Sequence, residues 1–367
     1  MSSPSRIAWQ KFRSNAPALT GLVYLLLCCI VALLAYVLAP DATRHSNFQI
    51  IELAKRPPGT RALVLMAPGV SSEHKPDPLA WLYGAEQQVM PLALQAPGDL
   101  SIQGEYLFFY AYSGARDSIS LARLGETGIP PSEAEINRRF VREMHFALGT
   151  DAYGRDLLSR ILLGTRISLV IGLMAVIISL LIGVLMGTLA GYFGGWVDRL
   201  VMWLVSVVWA VPTLLLALAL SLALGKGFWQ IFLAIGLSMW VEVARIVRGQ
   251  IMGIREQAFA EAARALGFGH ARIMFRHVLP NVISPIIVIA VANFGAAVLI
   301  ESGLSFLGIG VEVPVPTWGR MIYEGYTYIV FENGKWLALF PGIALIGLVV
   351  SINLIGIGLR DALDVKF

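Results

Sequence analysis

The sequence predicts an all-α polytopic membrane protein: six transmembrane helices, a cytoplasmic helical hairpin, and an extracytoplasmic segment of mixed structure after the first helix. Three observations predict it. Mean hydropathy is +0.71 and only 14% of the 367 residues are charged, which excludes an ordinary soluble domain. Six apolar runs approach the length of about 20 residues that crosses the hydrocarbon core as a helix. Lysine and arginine gather in alternate short connections, which fixes an orientation.

Residues 1–17 carry Arg6, Lys11 and Arg13 and are expected in the cytoplasm. Ala18–Ala39 is a charge-free run that forms the first helix, 18–39. Its apolar core exceeds the 7–15 residues of a signal peptide, so it reads as a retained helix. Cys28 and Cys29 lie inside it as reduced packing or lipid-facing residues, with no disulfide or metal implied.

Residues 40–148 form the extracytoplasmic segment, rich in Pro, Gly and mixed charge, as in RPPGTR at 56–61 and KPDP at 75–78. Ala62–Met66 and Tyr106–Tyr112 read as strands within it. A segment this long serves either as a contact surface for another protein or as a structural cap.

The transmembrane domain is expected over 149–359. It opens with GTDAYGRDLLSRILLGTRISL at 149–169. Asp151 and Asp156 can cap helix starts, and Gly149 and Gly154 permit tight turns. Arg155, Arg160 and Arg166 suit an interfacial helix leading into the second span. Helices follow at about 167–190, 200–224, 228–247, 282–300 and 336–359, with a cytoplasmic tail at 360–367. Pro212 removes a backbone hydrogen bond within the third span and kinks it. Glu242 and Arg245, near the end of the fourth, fit an interfacial position with snorkelling side chains. Trp203, Trp209, Trp229, Trp240 and Trp336 read as belt or packing residues.

Arg199 follows the second span, and Arg245, Arg248, Arg255, Arg264, Arg272 and Arg276 cluster between the fourth and fifth. Arg360 and Lys366 follow the sixth, whereas the opposite short loops hold Lys226, Arg320 and Lys335. Both termini and the 256–280 connection are therefore expected in the cytoplasm. The net charge of +4 reflects these arginines and not a nucleic-acid patch.

The 256–280 connection has an internal pattern. Phe259, Ala262, Ala263 and Leu266 recur at i, i+3, i+4 and i+7 and form one apolar stripe on a short helix. Gly267 and Gly269 break that helix, since glycine takes the left-handed conformation that ends one. A second short helix with Ile273, Met274 and Val278 apolar follows, and Pro280 stops it. The product is a small-faced hairpin able to press into a partner's groove.

Other chemistries lack their residues. There is no GxxxxGK[ST] phosphate loop, since Gly225-Lys226-Gly227 lacks the spacing and the hydroxyl. Neither HExxH nor GxSxG occurs, so no enzyme is expected and no cofactor is implied. A proton-coupled secondary carrier would need ionisable groups near mid-membrane. Here Asn293 and Asn353 are the strongly polar candidates, better suited to interhelical hydrogen bonds, with Glu242 and Glu301 near span ends. A membrane scaffold presenting the external segment is a further alternative, but it would not need the hairpin.

Glu261-Ala262-Ala263, Gly267 and Leu279-Pro280 together resemble the EAA loop of ABC importer permeases. GTDAYGRDLLSR at 149–160, GYFGGWVDR at 191–199, AVPTLLLALAL at 210–220, ESGLSFLGIG at 301–310, PTWG at 316–319 and GLRDALD at 358–364 resemble the dipeptide/oligopeptide/nickel type, specifically its second, "C"-like permease. His277 stands where many permeases have isoleucine, a departure shared with a peptide-importer subgroup. The resemblance covers the first helix and nearly everything from Gly149 onward. It implies a bacterial inner-membrane subunit forming half of a pore for peptides or similar small solutes. Implied partners are a second permease, two cytoplasmic ATPase subunits that bind the ATP, and an extracytoplasmic solute-binding protein. Glu261, Ala262, Ala263, Arg264, Gly267, Leu279 and Pro280 are then the ATPase-coupling residues. Glu261 and Arg264 would make polar contacts, the two alanines would allow close approach, and Gly267 would set the turn.

Overall fold

The computed structural model describes residues 4–68, 80–85, 89–96, 100–124, 132–225, 227–329 and 334–363. KPDP at 75–78, Lys226, Lys366 and the last residues of the tail lie outside the described residues. The chain divides into two compact units. The first comprises Met1–Cys29, Ile167–Glu312 and Ala344–Phe367, and the second Ile30–Arg166 and Val313–Ile343.

The amino-terminal helices are α1 (Pro4–Ser14), α2 (Ala16–Leu33) and the short α3 (Ala35–Leu38). In the second unit, β1 (Thr60–Pro68) lies between β2 (Val89–Leu94) and β6 (Val141–Phe146), all antiparallel. The strand expected at Ala62–Met66 is the centre of β1. Ala62 and Val64 join one buried cluster with Phe48, Ile50 and Phe146, whereas Leu65 and Ala67 join another with Leu107, Phe109 and Ile136. Alternate residues of one strand thus fill two cores, as a period of two demands. A second antiparallel sheet holds β3 (Ser101–Gln103), β4 (Tyr106–Tyr110) and β5 (Arg116–Ser120). The expected run Tyr106–Tyr112 is strand as far as Tyr110. Between the strands lie α4 (Ala80–Tyr83) and α5 (Glu133–Phe140), the latter capped by Ser132 accepting from the Glu135 amide.

Gly149 and Gly154 take φ of +82° and +72°, the left-handed region that glycine occupies without steric cost. Asp156 caps the following helix, its Oδ2 accepting from the Ser159 amide at 2.8 Å. Asp151 caps a turn and not a helix: its Oδ1 accepts from the amides of Tyr153 and Arg155 at 2.8 and 3.0 Å. Arg155 and Arg160 depart from the interfacial expectation, being 0% and 1% exposed. Asp151 Oδ2 lies 2.6 Å from Arg155 Nε and 3.3 Å from Arg160 Nε. Glu324 meets Arg155 at 3.1 Å, Arg160 at 3.7 Å and Arg320 at 3.0 Å. Glu324 sits on α13 (Trp318–Tyr326), a helix absent from the expected set. Thr317 caps it, and Trp318 Nε1 donates to the Ile161 carbonyl. Two carboxylates thus hold three guanidinium groups, which explains why arginines can be buried there.

The long helices are α6 (Leu157–Phe193), α7 (Gly195–Trp209), α8 (Thr213–Leu224), α9 (Phe228–Arg255), α12 (Ile283–Phe306) and α14 (Trp336–Leu363), with α10 (Ala258–Ala265) and α11 (His270–Arg272) between α9 and α12. Among the described residues five helices are long and apolar enough to cross a membrane, or six if the bent pair α7–α8 is one span. That pair corrects the expected third helix over 200–224. The chain turns by 90° between α7 and α8, because Pro212 cannot donate to the α7 ladder and instead precedes the first turn of α8. Each half, at about 1.5 Å per residue, is shorter than the roughly 30 Å hydrocarbon core.

Within the first unit, α6 packs closely on α9. A Cβ at Gly183, Gly187 or Gly191 would fall within 2.5–2.8 Å of Val243, Ala244 or Arg248. Glycines every four residues let the two backbones approach, as in small-residue helix interfaces of membranes. Asn293 is buried on α12, whereas Asn353 is exposed and donates to Val349 on its own helix. Glu301, expected near a span end, is wholly buried on α12 and accepts from Ser305 Oγ at 2.7 Å.

Candidate functional site

The hairpin at 256–280 is built on the end of α9. Helix α10 closes with two hydrogen bonds that glycine makes possible. The Phe268 amide reaches the Ala263 carbonyl at 3.2 Å, and the Gly267 amide reaches the Arg264 carbonyl at 3.0 Å. This paired pattern requires a left-handed residue just past the helix, and Gly267 supplies it with φ +74°. Gly269 is extended at φ −64° and serves as the cap residue of α11. The break expected from two left-handed glycines therefore rests on Gly267.

The second arm departs from expectation at Pro280. The chain does not stop there: it stays helical from His270 to Phe306. Ile273–Val278 winds as a π-helix and Leu279–Val282 as a 3₁₀-helix before α12 begins. Proline removes one donor and crowds the carbonyl four residues back, and these two changes of winding absorb the disturbance. Asn281 Nδ2 donates to the His277 carbonyl at 2.6 Å in the same turn. The second arm and the fifth span are consequently one continuous element.

The expected apolar stripe divides. Ala260 and Ala263 are buried in a cluster with Val243, Val247, Ile251 and Ile273, against which Leu279 also packs. Phe259, Ala262 and Leu266 face out, with Leu266 71% exposed. Of the expected coupling residues, Ala263 and Leu279 meet in the cluster, while Glu261, Ala262, Arg264, Gly267 and Pro280 are exposed. Phe259, Ala262 and Leu266 thus form an outward apolar row flanked by the exposed Glu261 and Arg264.

Sequence reasoning missed how the hairpin is tied to α6. Arg264 Nη2 donates to the Arg255 carbonyl at 2.8 Å. Arg255 Nη1 in turn donates to the carbonyls of Gly191 and Tyr192 at 2.9 and 3.2 Å. Those carbonyls end α6, where a cation also meets the negative end of the helix dipole. Tyr192 Oη lies 3.1 Å from His270 Nδ1 at the start of the second arm. Phe268 stacks on His277, with Arg272 above the Phe268 ring at 4.4 Å. Asp198 forms a two-point ion pair with Arg248, one contact at 2.6 Å. The signal in the sequence was the run of glycines at 183, 187 and 191, which announces an α6 partner at this level.

Among the described residues no group of three or more His, Cys, Asp or Glu is placed to hold a metal. The hairpin offers no nucleophile paired with a base.

Residues 179–367 match the family model described as the binding-protein-dependent transport system inner membrane component. Residues 3–58 match the N-terminal transmembrane domain of oligopeptide transport permease C. A dipeptide transport system permease protein of Alkalihalophilus pseudofirmus is 41% identical over 59% of this chain and 71% of its own length. The oligopeptide transport system permease protein of Salmonella typhimurium is 43% identical over 59% of this chain and 72% of its own. A solved methionine ABC transporter chain is 18% identical with a TM-score of 0.45, covering 54% of this chain and 94% of that one. With its apolar helices, its helical hairpin and the matched carboxy-terminal half, the chain belongs to the binding-protein-dependent transport system inner membrane components, a family of ABC transporter permeases and not of enzymes.

Proposed function

We propose that this permease forms half of the translocation pore of an ATP-driven importer for peptides or similar small solutes, with a related second permease as the other half. Two ATPase subunits bind and hydrolyse the ATP, and an external binding protein delivers the solute. Peptide cargo is supported by the relatives, which are named dipeptide and oligopeptide permeases. The cytoplasmic placement of both termini and of the hairpin is supported by the arginine-rich connections.

The observation that carries the coupling role is the outward row Phe259, Ala262 and Leu266 on a helix whose opposite side is buried in its own subunit. A motor seated on that row would meet Glu261 and Arg264 at its edge. Closure of the ATPases pushes α10, and Gly267 passes the motion round the turn. The second arm carries it into α12 without a break. The pore then switches between outward- and inward-facing states by rigid displacement of packed helices.

The test is Ala262→Trp in the assembled transporter. The added ring projects from an exposed position, so insertion and subunit recovery are expected to match the parent while ATP-driven uptake is lost. Uptake at the parental rate would count against docking on this row. For orientation, a single cysteine replacing His270 is expected to react with an impermeant maleimide only from the cytoplasmic side, and external labelling would reverse the topology.

A further inference from the structure

Helix α4 lies in the segment between the first and second spans and turns three large side chains outward. Trp81 is 52% exposed, Leu82 38% and Tyr83 44%. Its position is set by two contacts within the second unit, one from the residues around α3 and one from Arg166 at the start of α6. The residues just after α4 are joined to those just after α3, with the Arg44 amide donating to the Ala85 carbonyl at 2.7 Å and the Ala85 amide to the Ala42 carbonyl at 3.0 Å. A Cβ at Gly84 would come 2.7 Å from the Tyr36 ring of α3, so backbone rests on that ring. From the other side Arg166 of α6 donates through Nη1 to the Leu82 carbonyl.

Those two attachments fix a depth. The charge-free run of the first span ends at Ala39, two residues before Asp41, and the charge-free run of α6 begins directly after Arg166. Both ends mark the boundary where hydrocarbon gives way to headgroups. On α2 and α3 the apolar residues Leu33, Val37 and Leu38 are exposed at this same end. Tryptophan and tyrosine prefer this layer because the ring is apolar and the N–H or O–H is wet.

We propose that Trp81, Leu82 and Tyr83 form an interfacial anchor that rests the segment between the first two spans on the bilayer, its occupant being the headgroup and upper acyl layer. The anchor continues the lipid-facing surface of the first span and gives this segment a second hold on the membrane beyond its two covalent ends. Amphipathic segments that carry Trp or Leu on one side and basic residues on the other lie in the membrane plane.

The test uses the full chain in phosphatidylcholine nanodiscs, with Cys28 and Cys29 replaced by alanine and one spin label at a time. The label is placed through Trp81→Cys or Leu82→Cys, with Asp117→Cys on the exposed strand β5 as the aqueous reference and Leu33→Cys as the lipid reference. Because the Leu82 variant keeps both aromatic residues, it reports the anchor even if loss of Trp81 loosens it. At positions 81 and 82, collision with a water-soluble nickel chelate is expected to fall several-fold below position 117, while collision with oxygen approaches that at position 33. A chelate collision rate at position 82 equal to that at 117 would overturn the proposal. Protection from both reagents would also overturn it, by showing that protein and not lipid covers the helix.

Discussion

Arginine serves opposite purposes in the two units. In the second, Arg155 and Arg160 are sealed from solvent and share Asp151 and Glu324. In the first, Arg264, Arg272 and Arg276 stand exposed on the hairpin, and Arg264 donates to a backbone carbonyl. Buried guanidinium groups need every compensating contact, so their neighbourhood tolerates one arrangement. Exposed ones cost little to rearrange and remain available to another protein. Closed charge makes a fixed joint, and open charge leaves the hairpin arginines free of such a constraint. The hairpin is therefore the better place to look for regulated motion.

The largest break in that contrast is Glu324→Leu. It removes the carboxylate that meets Arg155, Arg160 and Arg320, leaving buried positive charge with Asp151 alone. Removing one partner of a buried pair costs about 3–5 kcal/mol. Thermal unfolding in detergent is expected to show a large fall in midpoint, with reduced recovery from the membrane. The comparable change on the hairpin, Arg264→Ala, is expected to alter stability by no more than about 0.5 kcal/mol. Equal effects would erase the distinction.

Next in size is a pair of substitutions one residue apart. Ala263 is 5% exposed, whereas Ala262 is exposed. Ala263→Trp overfills the cluster around Val247 and Ile251 and should cost about 1–3 kcal/mol, while Ala262→Trp should leave the unfolding midpoint near the parent. The stripe of four apolar residues could not tell these apart. Periodicity gives the side of a helix, not which of two adjacent rows faces its own subunit.

Long apolar runs declared five membrane-length helices, since few other structures use so many consecutive uncharged residues, but they did not foretell the break in the remaining run, 200–224. The glycine turn was legible too, because Gly267 has a conformation that other residues avoid. Three features were not legible for physical reasons. The 90° bend between α7 and α8 depends on how Pro212 is accommodated, and proline in a membrane helix is compatible with a mild kink as well as a break. Continuation through Pro280 required two changes of helical winding that no residue pattern announces. The arginine cluster joins residue 155 to residue 324, far apart in sequence, so local spacing could only suggest an interfacial helix.

Gly267→Ala sharpens the hairpin side of the comparison. A Cβ there would meet nothing within 4 Å, so the cost is backbone strain at φ +74° and not crowding. Placing a non-glycine residue in the left-handed region costs about 1–2 kcal/mol. Hydrogen exchange is expected to show faster opening of the Gly267 and Phe268 amides, with little change at Arg155 or Ser159. Spread of the effect to the second unit would contradict the view that the hairpin loosens locally.

The smallest expected effect belongs to Asp156, which precedes α6. Burial raises its carboxyl above the usual value; the hydrogen bonds from Ser159 act against that shift, and Asp41 and Asp151 add to it. A carboxyl raised in the folded state favours folding most at pH values below its unfolded value of about 3.9. That contribution is lost as pH rises through the folded value, because the unfolded chain releases its proton first. At neutral pH the ionised Asp156 is therefore a small burden, tolerated because it caps the helix through Ser159. Asp156→Asn keeps an oxygen for the cap and removes the charge. Its unfolding midpoint is expected to match the parent near pH 4 and to equal or slightly exceed it at pH 7, measured side by side in the same detergent. A variant that loses stability at pH 7 relative to pH 4 more steeply than the parent would show that the ionised carboxylate stabilises this joint, and Asp156 would then belong with Asp151 among the charges that hold the arginines.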